Sequence, residues 1–329
     1  MEISSIYTAF PALIIAIVIL AKAADWFVEG AVGLSYILCL PKILVGIIVI
    51  GLATTAPELM VSVISAFQGK PEIALGNAVG SVICDDGLAL SLAVIISASP
   101  ILVARNIFKI TALFIIVVDI VAYVMCWDGT LSRGEGILLV GLFAVYAMVM
   151  ICISKHKDKK IIAEKKEVAI SKIVLLFCLG LVGIYIASRV IVSSAVFVAY
   201  YFHVPEAVVA LAMVALGTSI PEVATCVAAA RKGEGGIAAG NILGADILNI
   251  CWVAGVSAIV NPLAVGTKMT HFMFPSMLII VFVMLGLIAI NYRLERWKGG
   301  VLLIMYILFL ISMMIFFPLH RHSICLAFR

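Results

Sequence analysis

Residues 51–58 read GLATTAPE and residues 215–222 read ALGTSIPE. Behind each stands a second matched stretch, GNAVGSVICD at 76–85 and GNILGADILN at 240–249. A single offset of 164 residues aligns both pairs without a gap. It sets Thr54 on Thr218, Pro57 on Pro221, Glu58 on Glu222, Asn77 on Asn241, Gly80 on Gly244 and Asp85 on Asn249. Two motifs repeated at one spacing mark an internal duplication.

The chain around these motifs has 329 residues, 65% hydrophobic and 12% charged. So apolar a composition is that of a chain crossing a bilayer many times. Ten apolar segments are expected, at about 6–36, 43–68, 72–98, 107–127, 135–154, 171–200, 206–230, 236–261, 271–292 and 299–318. The first and sixth are long enough to require tilt. The N-terminus lacks the basic region and the small-residue cleavage site of a signal peptide, so the first segment reads as a mature helix. Each half holds an odd number of spans, so the second copy enters the membrane from the opposite side. The expected fold is an all-α integral membrane protein with ten transmembrane helices in two inverted five-helix repeats, the plan of a secondary transporter with its site near the midplane. The halves are 1–154, with its repeat at about 43–98, and 171–329, with its repeat at about 206–261. A charged linker at 155–170 joins them.

Charge placement orients this plan. The turns after segments one, three, five, seven and nine carry fifteen of the 22 Lys and Arg residues, and the opposite side carries five. By the positive-inside rule the central linker is cytoplasmic and both termini lie outside, in a multi-pass cell-membrane protein. The linker's lysines read as a solvated, topology-fixing segment, with lipid binding as the alternative.

Several function classes have no signal. The eight Cys are scattered without a CxxC pair, and no zinc ligand set, nucleotide-binding GxxxxGK[ST] loop or Ser–His arrangement appears. No enzyme, cofactor or nucleic-acid partner is expected. The partners are inorganic cations and the lipid bilayer, and the oligomeric state is left open.

A carboxylate at membrane depth is costly and marks a functional interior. Glu58 and Glu222 occupy that position in both copies. Pro57 and Pro221 withhold a helical donor, so nearby carbonyls need another partner. The expected cation site is built from oxygen alone. It has the carboxylates of Glu58 and Glu222, the hydroxyls of Thr54, Thr55, Thr218 and Ser219, and the carbonyls of Gly51 and Ala215. Ser81, Asp85 and Asn249 are added from the neighbouring helices. Hard oxygen ligands suit Ca²⁺ and Na⁺. The glycines at 76, 80, 240 and 244 are read as places of close helix packing.

These motifs resemble the α-repeats of the calcium/cation antiporter superfamily, with the pattern G-T-S-x-P-E followed by G-N-x-x-G-S. The resemblance is to its prokaryotic sodium/calcium exchanger branch, covers nearly the whole chain, and extends to ADWFVEG at 24–30. It implies that Glu58 and Glu222 hold Ca²⁺ and that Na⁺ occupies adjoining hydroxyl and carbonyl sites. It also implies that the two ions alternate while the long first and sixth helices slide across the core. Five positions depart from the pattern. Ala53 replaces Gly, Thr55 replaces Ser, and Ala245 stands where the matched helix has Ser81. Asp85 and Asn249 exchange the pattern's Asn and Asp, which moves the acid to the other half.

Asp246 is a further candidate at the site's edge, while Asp86 lies about 100° around the helix from Asp85. Lys22, Asp25 and Glu29 share helical spacing and are expected to pair with one another or with Arg189. Three functions fit: Ca²⁺/Na⁺ antiport, Ca²⁺ or other cation antiport driven by H⁺ or K⁺, and a cation channel.

Overall fold

The computed structural model describes residues 6–38, 40–155, 169–201 and 217–316. Nearly all of this is helix. The elements are α1 (Ile6–Leu38), α2 (Lys42–Thr54), α3 (Ala56–Phe67), α4 (Pro71–Ile96), α5 (Arg105–Met125) and α6 (Arg133–Lys155). They continue with α7 (Ile170–Tyr201), α8 (Ile220–Arg231), α9 (Gly235–Val260), α10 (Met269–Ala289) and α11 (Arg296–Phe316). Among the described residues, eight helices are long and apolar enough to cross a membrane. A ninth span forms if α2 and α3, bent by 44°, are counted together. Of the expected seventh segment, 206–230, residues 206–216 lie outside the described residues, Ala215 among them. The linker residues 156–168 lie outside them as well.

Burial separates core helices from lipid-facing ones. In α4 and α9, 78% and 83% of the apolar stretch is buried inside the protein, against 22% in α6 and α7. The outer helices turn large aliphatic side chains outward, among them Ile137, Leu138 and Met148 on α6 and Val174, Leu175 and Leu179 on α7. Such faces are at home in hydrocarbon.

Small residues set how closely the helices approach. A methyl group at Gly30 of α1 would strike the backbone of Phe177, and one at Gly180 of α7 would strike the backbone of Phe27. The two phenyl rings meet at 4.7 Å between those contacts. In the core, Gly240 and Gly244 of α9 lie directly against the carbonyls of Ile43 and Ile47. The expectation of close packing therefore holds for this pair. The symmetric contacts of Gly76 and Gly80 would fall on 207 and 211, outside the described residues.

The duplication is visible in local geometry. Thr55, at the α2–α3 bend, has φ −79° and ψ 1°, and its counterpart Ser219, before α8, has φ −85° and ψ 4°. This sparsely populated region suits a break just ahead of a proline. Both following helices end alike. Gly69 and Gly233 take left-handed φ of 69° and 74°. Lys70 N–H reaches Ser65 O (2.8 Å) and Glu234 N–H reaches Ala229 O (2.8 Å). These are Schellman caps, which need a residue free of Cβ strain.

Among the described residues, four two-residue strands clip the ends of the bundle. β1 (Ile101–Leu102) pairs antiparallel with β4 (Arg293–Leu294), and β2 (Thr130–Leu131) pairs with β3 (Leu263–Ala264). Each clip joins a loop of one half to a loop of the other.

Charges on α1 are arranged differently from the expectation. Lys232, in the turn after α8, donates to Asp25 O (2.7 Å) and stands 3.9 Å from Glu29. Lys22 lies over the Trp26 ring (5.8 Å), and Arg189 is exposed. Helical spacing put Lys22 within reach of Asp25 and Glu29. The lysine that meets them comes from a distant turn brought there by packing.

Candidate functional site

The breaks before Pro57 and Pro221 bring Glu58 and Glu222 to the first turns of α3 and α8, both fully buried. Asp85 comes from α4, where a π turn spans Asp85–Leu90. A matching π turn, Leu248–Ala254, follows in α9 and contains Asn249. Such turns re-aim side chains and recur at functional sites. Glu58, Asp85 and Glu222 lie within Coulombic reach of one another. Among the described residues, no side chain or backbone group hydrogen-bonds either oxygen of Glu58 or Glu222, or Oδ1 of Asp85.

Polar groups bridge the two copies around this trio. Thr54 Oγ1 donates to Asn241 Oδ1 (3.3 Å), and Thr218 Oγ1 donates to Asn77 Oδ1 (3.1 Å). These are one contact made twice, related by the repeat. The Thr218 hydroxyl borders Glu58, and the Thr54 hydroxyl borders Glu222. Asn77 Nδ2 donates to Glu58 O (3.1 Å) and Ser62 Oγ (2.9 Å). Asn241 Nδ2 donates to Cys226 Sγ (3.4 Å), Cys226 being the counterpart of Ser62. Asn77 thus holds Thr218 and the Glu58 backbone, and Asn241 holds Thr54, roles that their repetition in the sequence marks without defining.

The other candidates divide. Ser81 Oγ meets Thr218 Oγ1 at 3.4 Å, and Ser219, fully buried, borders Asp85. Asn249 Nδ2 donates to Asp85 Oδ2 (3.2 Å). Thr55 Oγ1 and Thr55 N–H both donate to Gly51 O (2.8 and 2.9 Å), so the Gly51 carbonyl is already satisfied. The carbonyl four residues before Pro57, which loses its helical donor, belongs to Ala53, and before Pro221 it belongs to Gly217. Asp246 faces Asp86 in place of the two glutamates.

Carboxylates without bonded partners, hydroxyls and amides gathered inside an apolar helical bundle define a membrane transporter for cations. The comparisons agree. The sodium/calcium exchanger protein family matches residues 8–152 and 172–315, two segments whose starts are separated by the repeat offset. The chain belongs to this family. It is 30% identical over 306 residues to CaxA of Alkalimonas amylolytica, covering 90% of this chain and 95% of that one. It is 26% identical over 342 residues to the sodium/calcium exchanger MaX1 of Methanosarcina acetivorans, covering 92% and 97%. A solved structure of the sodium-calcium exchanger NCX_Mj, soaked with Na⁺ and Sr²⁺, superposes with a TM-score of 0.82 at 27% identity. That match covers 94% of this chain and 99% of that one.

Proposed function

We propose that this protein is a secondary active antiporter that exchanges Ca²⁺ for Na⁺ by alternating access. One observation carries the reading: Glu58 and Glu222 are buried in repeat-related places, none of their four oxygens is hydrogen-bonded among the described residues, and each borders a threonine of the opposite copy. Two carboxylates balance one divalent cation, and hard oxygens suit Ca²⁺. The hydroxyls of Thr54, Thr218, Ser81 and Ser219, together with Asp85 and Asn249, offer Na⁺ its places. The carbonyls relieved by the prolines add to these. Ca²⁺ and Na⁺ then compete for shared ligands, which is the condition for exchange.

The architecture for this cycle is ten spans in two inverted halves, 1–154 and 171–329, joined by a cytoplasmic linker at 155–170, with both termini outside. The two strand clips support it. Placed in this topology, β1 with β4 and β2 with β3 lie on opposite sides of the membrane, each joining loops that the positive-inside count assigns to one side.

The test is Ca²⁺ uptake into proteoliposomes under separately imposed Na⁺, K⁺ and H⁺ gradients, for the wild type and Glu58→Gln. An outward Na⁺ gradient is expected to drive uptake, and Glu58→Gln to abolish it. Uptake that ignores Na⁺ and follows H⁺ or K⁺ would establish the other counter-ion. Ala245 favours that second reading, because it removes the hydroxyl that Ser81 supplies in the first copy.

A further inference from the structure

Each half of the site carries the same chain of hydrogen bonds, and the direction of that chain is set at its outer end. In the first copy Ser62 Oγ of α3 donates to Ala74 O (3.0 Å), and Asn77 Nδ2 of α4 donates to Ser62 Oγ (2.9 Å). Asn77 Oδ1 then accepts from Thr218 Oγ1 (3.1 Å). In the second copy Cys226 Sγ of α8 donates to Ala238 O (3.6 Å), and Asn241 Nδ2 of α9 donates to Cys226 Sγ (3.4 Å). Asn241 Oδ1 then accepts from Thr54 Oγ1 (3.3 Å). Ser62, Asn77, Cys226 and Asn241 are at most 3% exposed.

A backbone carbonyl can only accept. Ala74 O and Ala238 O therefore claim the one side-chain proton of Ser62 and of Cys226. Those side chains are left to accept, so the NH₂ ends of Asn77 and Asn241 must face them. The oxygen ends must then face the threonines. A hydroxyl has one proton and two lone pairs. With its proton drawn to an asparagine, each threonine oxygen keeps its lone pairs for a cation. Thr54 has a second acceptor in Ile50 O (3.1 Å), which draws the same proton and leaves the same lone pairs. An asparagine turned end for end would aim N–H groups at the threonine oxygen and compete with a cation for it.

The two chains differ at one atom, oxygen at Ser62 and sulfur at Cys226. A thiol is a weak donor and a weak acceptor. Asn77 Nδ2 also reaches Glu58 O (3.1 Å), whereas among the described residues Asn241 Nδ2 has the thiol alone. Asn241 is the less firmly held of the pair.

We propose that Ser62 and Cys226 are positioning residues for the cation site. They fix which end of Asn77 and Asn241 meets Thr218 and Thr54, and so keep the threonine hydroxyls turned to accept a cation. The sulfur at Cys226 makes the Thr54 half the weaker one. This rests on the reading of the Glu58–Glu222 centre as a cation site. Na⁺ is the ion more affected, because it draws on neutral oxygens where Ca²⁺ draws on the carboxylates.

The experiment is equilibrium binding of radiolabelled Na⁺ and, separately, radiolabelled Ca²⁺ to the purified full-length chain in nanodiscs. The chains compared are wild type, Cys226→Ser, Ser62→Cys, Thr218→Val, Ser62→Cys/Thr218→Val and Glu58→Gln/Glu222→Gln. Cys226→Ser is expected to tighten Na⁺ binding about threefold and Ser62→Cys to weaken it about threefold, part of the worth of one hydrogen bond. Ca²⁺ binding is expected to move less. In the Thr218→Val background, which lacks the oriented hydroxyl, Ser62→Cys is expected to change Na⁺ affinity no further. A merely structural role for these residues predicts no gain from Cys226→Ser, and the same loss from Ser62→Cys with or without Thr218. Unchanged Na⁺ affinity in both exchanges, a loss in both, or a Ser62→Cys loss that persists in Thr218→Val would overturn the proposal. The glutamate double variant tests the reading beneath it. Loss of both labels there upholds the cation site whatever the exchanges show, and wild-type binding there overturns the cation site and the proposal together.

Discussion

Asn249 Nδ2 donates to Asp85 Oδ2 at 3.2 Å, and the two residues are each other's counterparts in the duplication, 164 positions apart. A residue can touch its own repeat mate only where the two copies meet, so this pair marks the internal axis of the protein. Asp85 and Asn249 carry the acid and amide in the reverse order from the family's pattern, which reads as a displacement of charge from one half to the other. The contact makes the displacement small, because both side chains share one place at the axis.

Asp85→Asn alone removes the carboxylate and is expected to lower Na⁺-dependent Ca²⁺ flux at least tenfold, equivalent to about 1.4 kcal/mol. The double exchange Asp85→Asn/Asn249→Asp returns the charge to the axis and is expected to recover most of that flux. Proteoliposome flux under a fixed Na⁺ gradient reads both. A double variant as inactive as Asp85→Asn would show that the half that carries the acid matters, against the axial reading.

The repeat is imperfect at Ala245, and this too can be tested by addition. Ser81 Oγ lies 3.4 Å from Thr218 Oγ1, and symmetry sets Ala245 opposite Thr54. Ala245→Ser restores a hydroxyl to the second copy. One added neutral hydrogen bond is worth about 1 kcal/mol, so the half-saturating Na⁺ concentration is expected to fall severalfold with little change in Ca²⁺ affinity. An unchanged or higher half-saturating concentration would place no Na⁺ ligand at this position.

Close packing in the core makes a stability prediction. A methyl at Gly240 must displace the Ile43 carbonyl, which is backbone and cannot rotate away. Overpacking of this kind costs about 1–3 kcal/mol. Gly240→Ala is therefore expected to lower the thermal unfolding midpoint in detergent, while Gly141→Ala on the exposed face of α6 leaves it nearly unchanged. Equal midpoints for the two variants would refute the contact.

Much of this was legible in the linear sequence, and the misses have physical causes. Glu58, Glu222, Thr54 and Thr218 were marked because duplication leaves equal letters at equal spacing. The same spacing says nothing about distance, so the meeting of Asp85 with Asn249 stayed hidden. Thr54 with Asn241 and Thr218 with Asn77 stayed hidden for the same reason. Asp119 has no repeat mate and no motif, and only the packing of α5 against the core buries it. Helical spacing suggested local pairing for Asp25 and Glu29, whereas Lys232 arrives from another half. The motif suggests a free carbonyl at Gly51, whereas the Thr55 side chain answers it from within its own turn.

Lys298 gives the clearest separation of stability from transport. Its ammonium donates to the carbonyls of Leu287 (2.8 Å), Ile290 (2.7 Å) and Arg293 (2.6 Å). Those carbonyls flank Asn291 and Tyr292, two successive residues with positive φ, 65° and 52°, that turn the chain from α10 into β4. Left-handed backbone is unfavourable for residues with a Cβ by roughly 1–2 kcal/mol each, and the lysine holds the turn that contains them. Lys298→Met keeps the stem but leaves three carbonyls short of a donor, a loss on the order of 3 kcal/mol. A clear drop in the unfolding midpoint is expected, with Ca²⁺ affinity of the folded fraction unchanged, because Lys298 touches none of the central carboxylates or hydroxyls. Asn291→Gly in the same background relieves part of the backbone strain and is expected to recover part of the midpoint. Thermal unfolding and Ca²⁺ binding measured on the same preparations decide it, and a parallel loss of affinity would tie this clamp to the transport site.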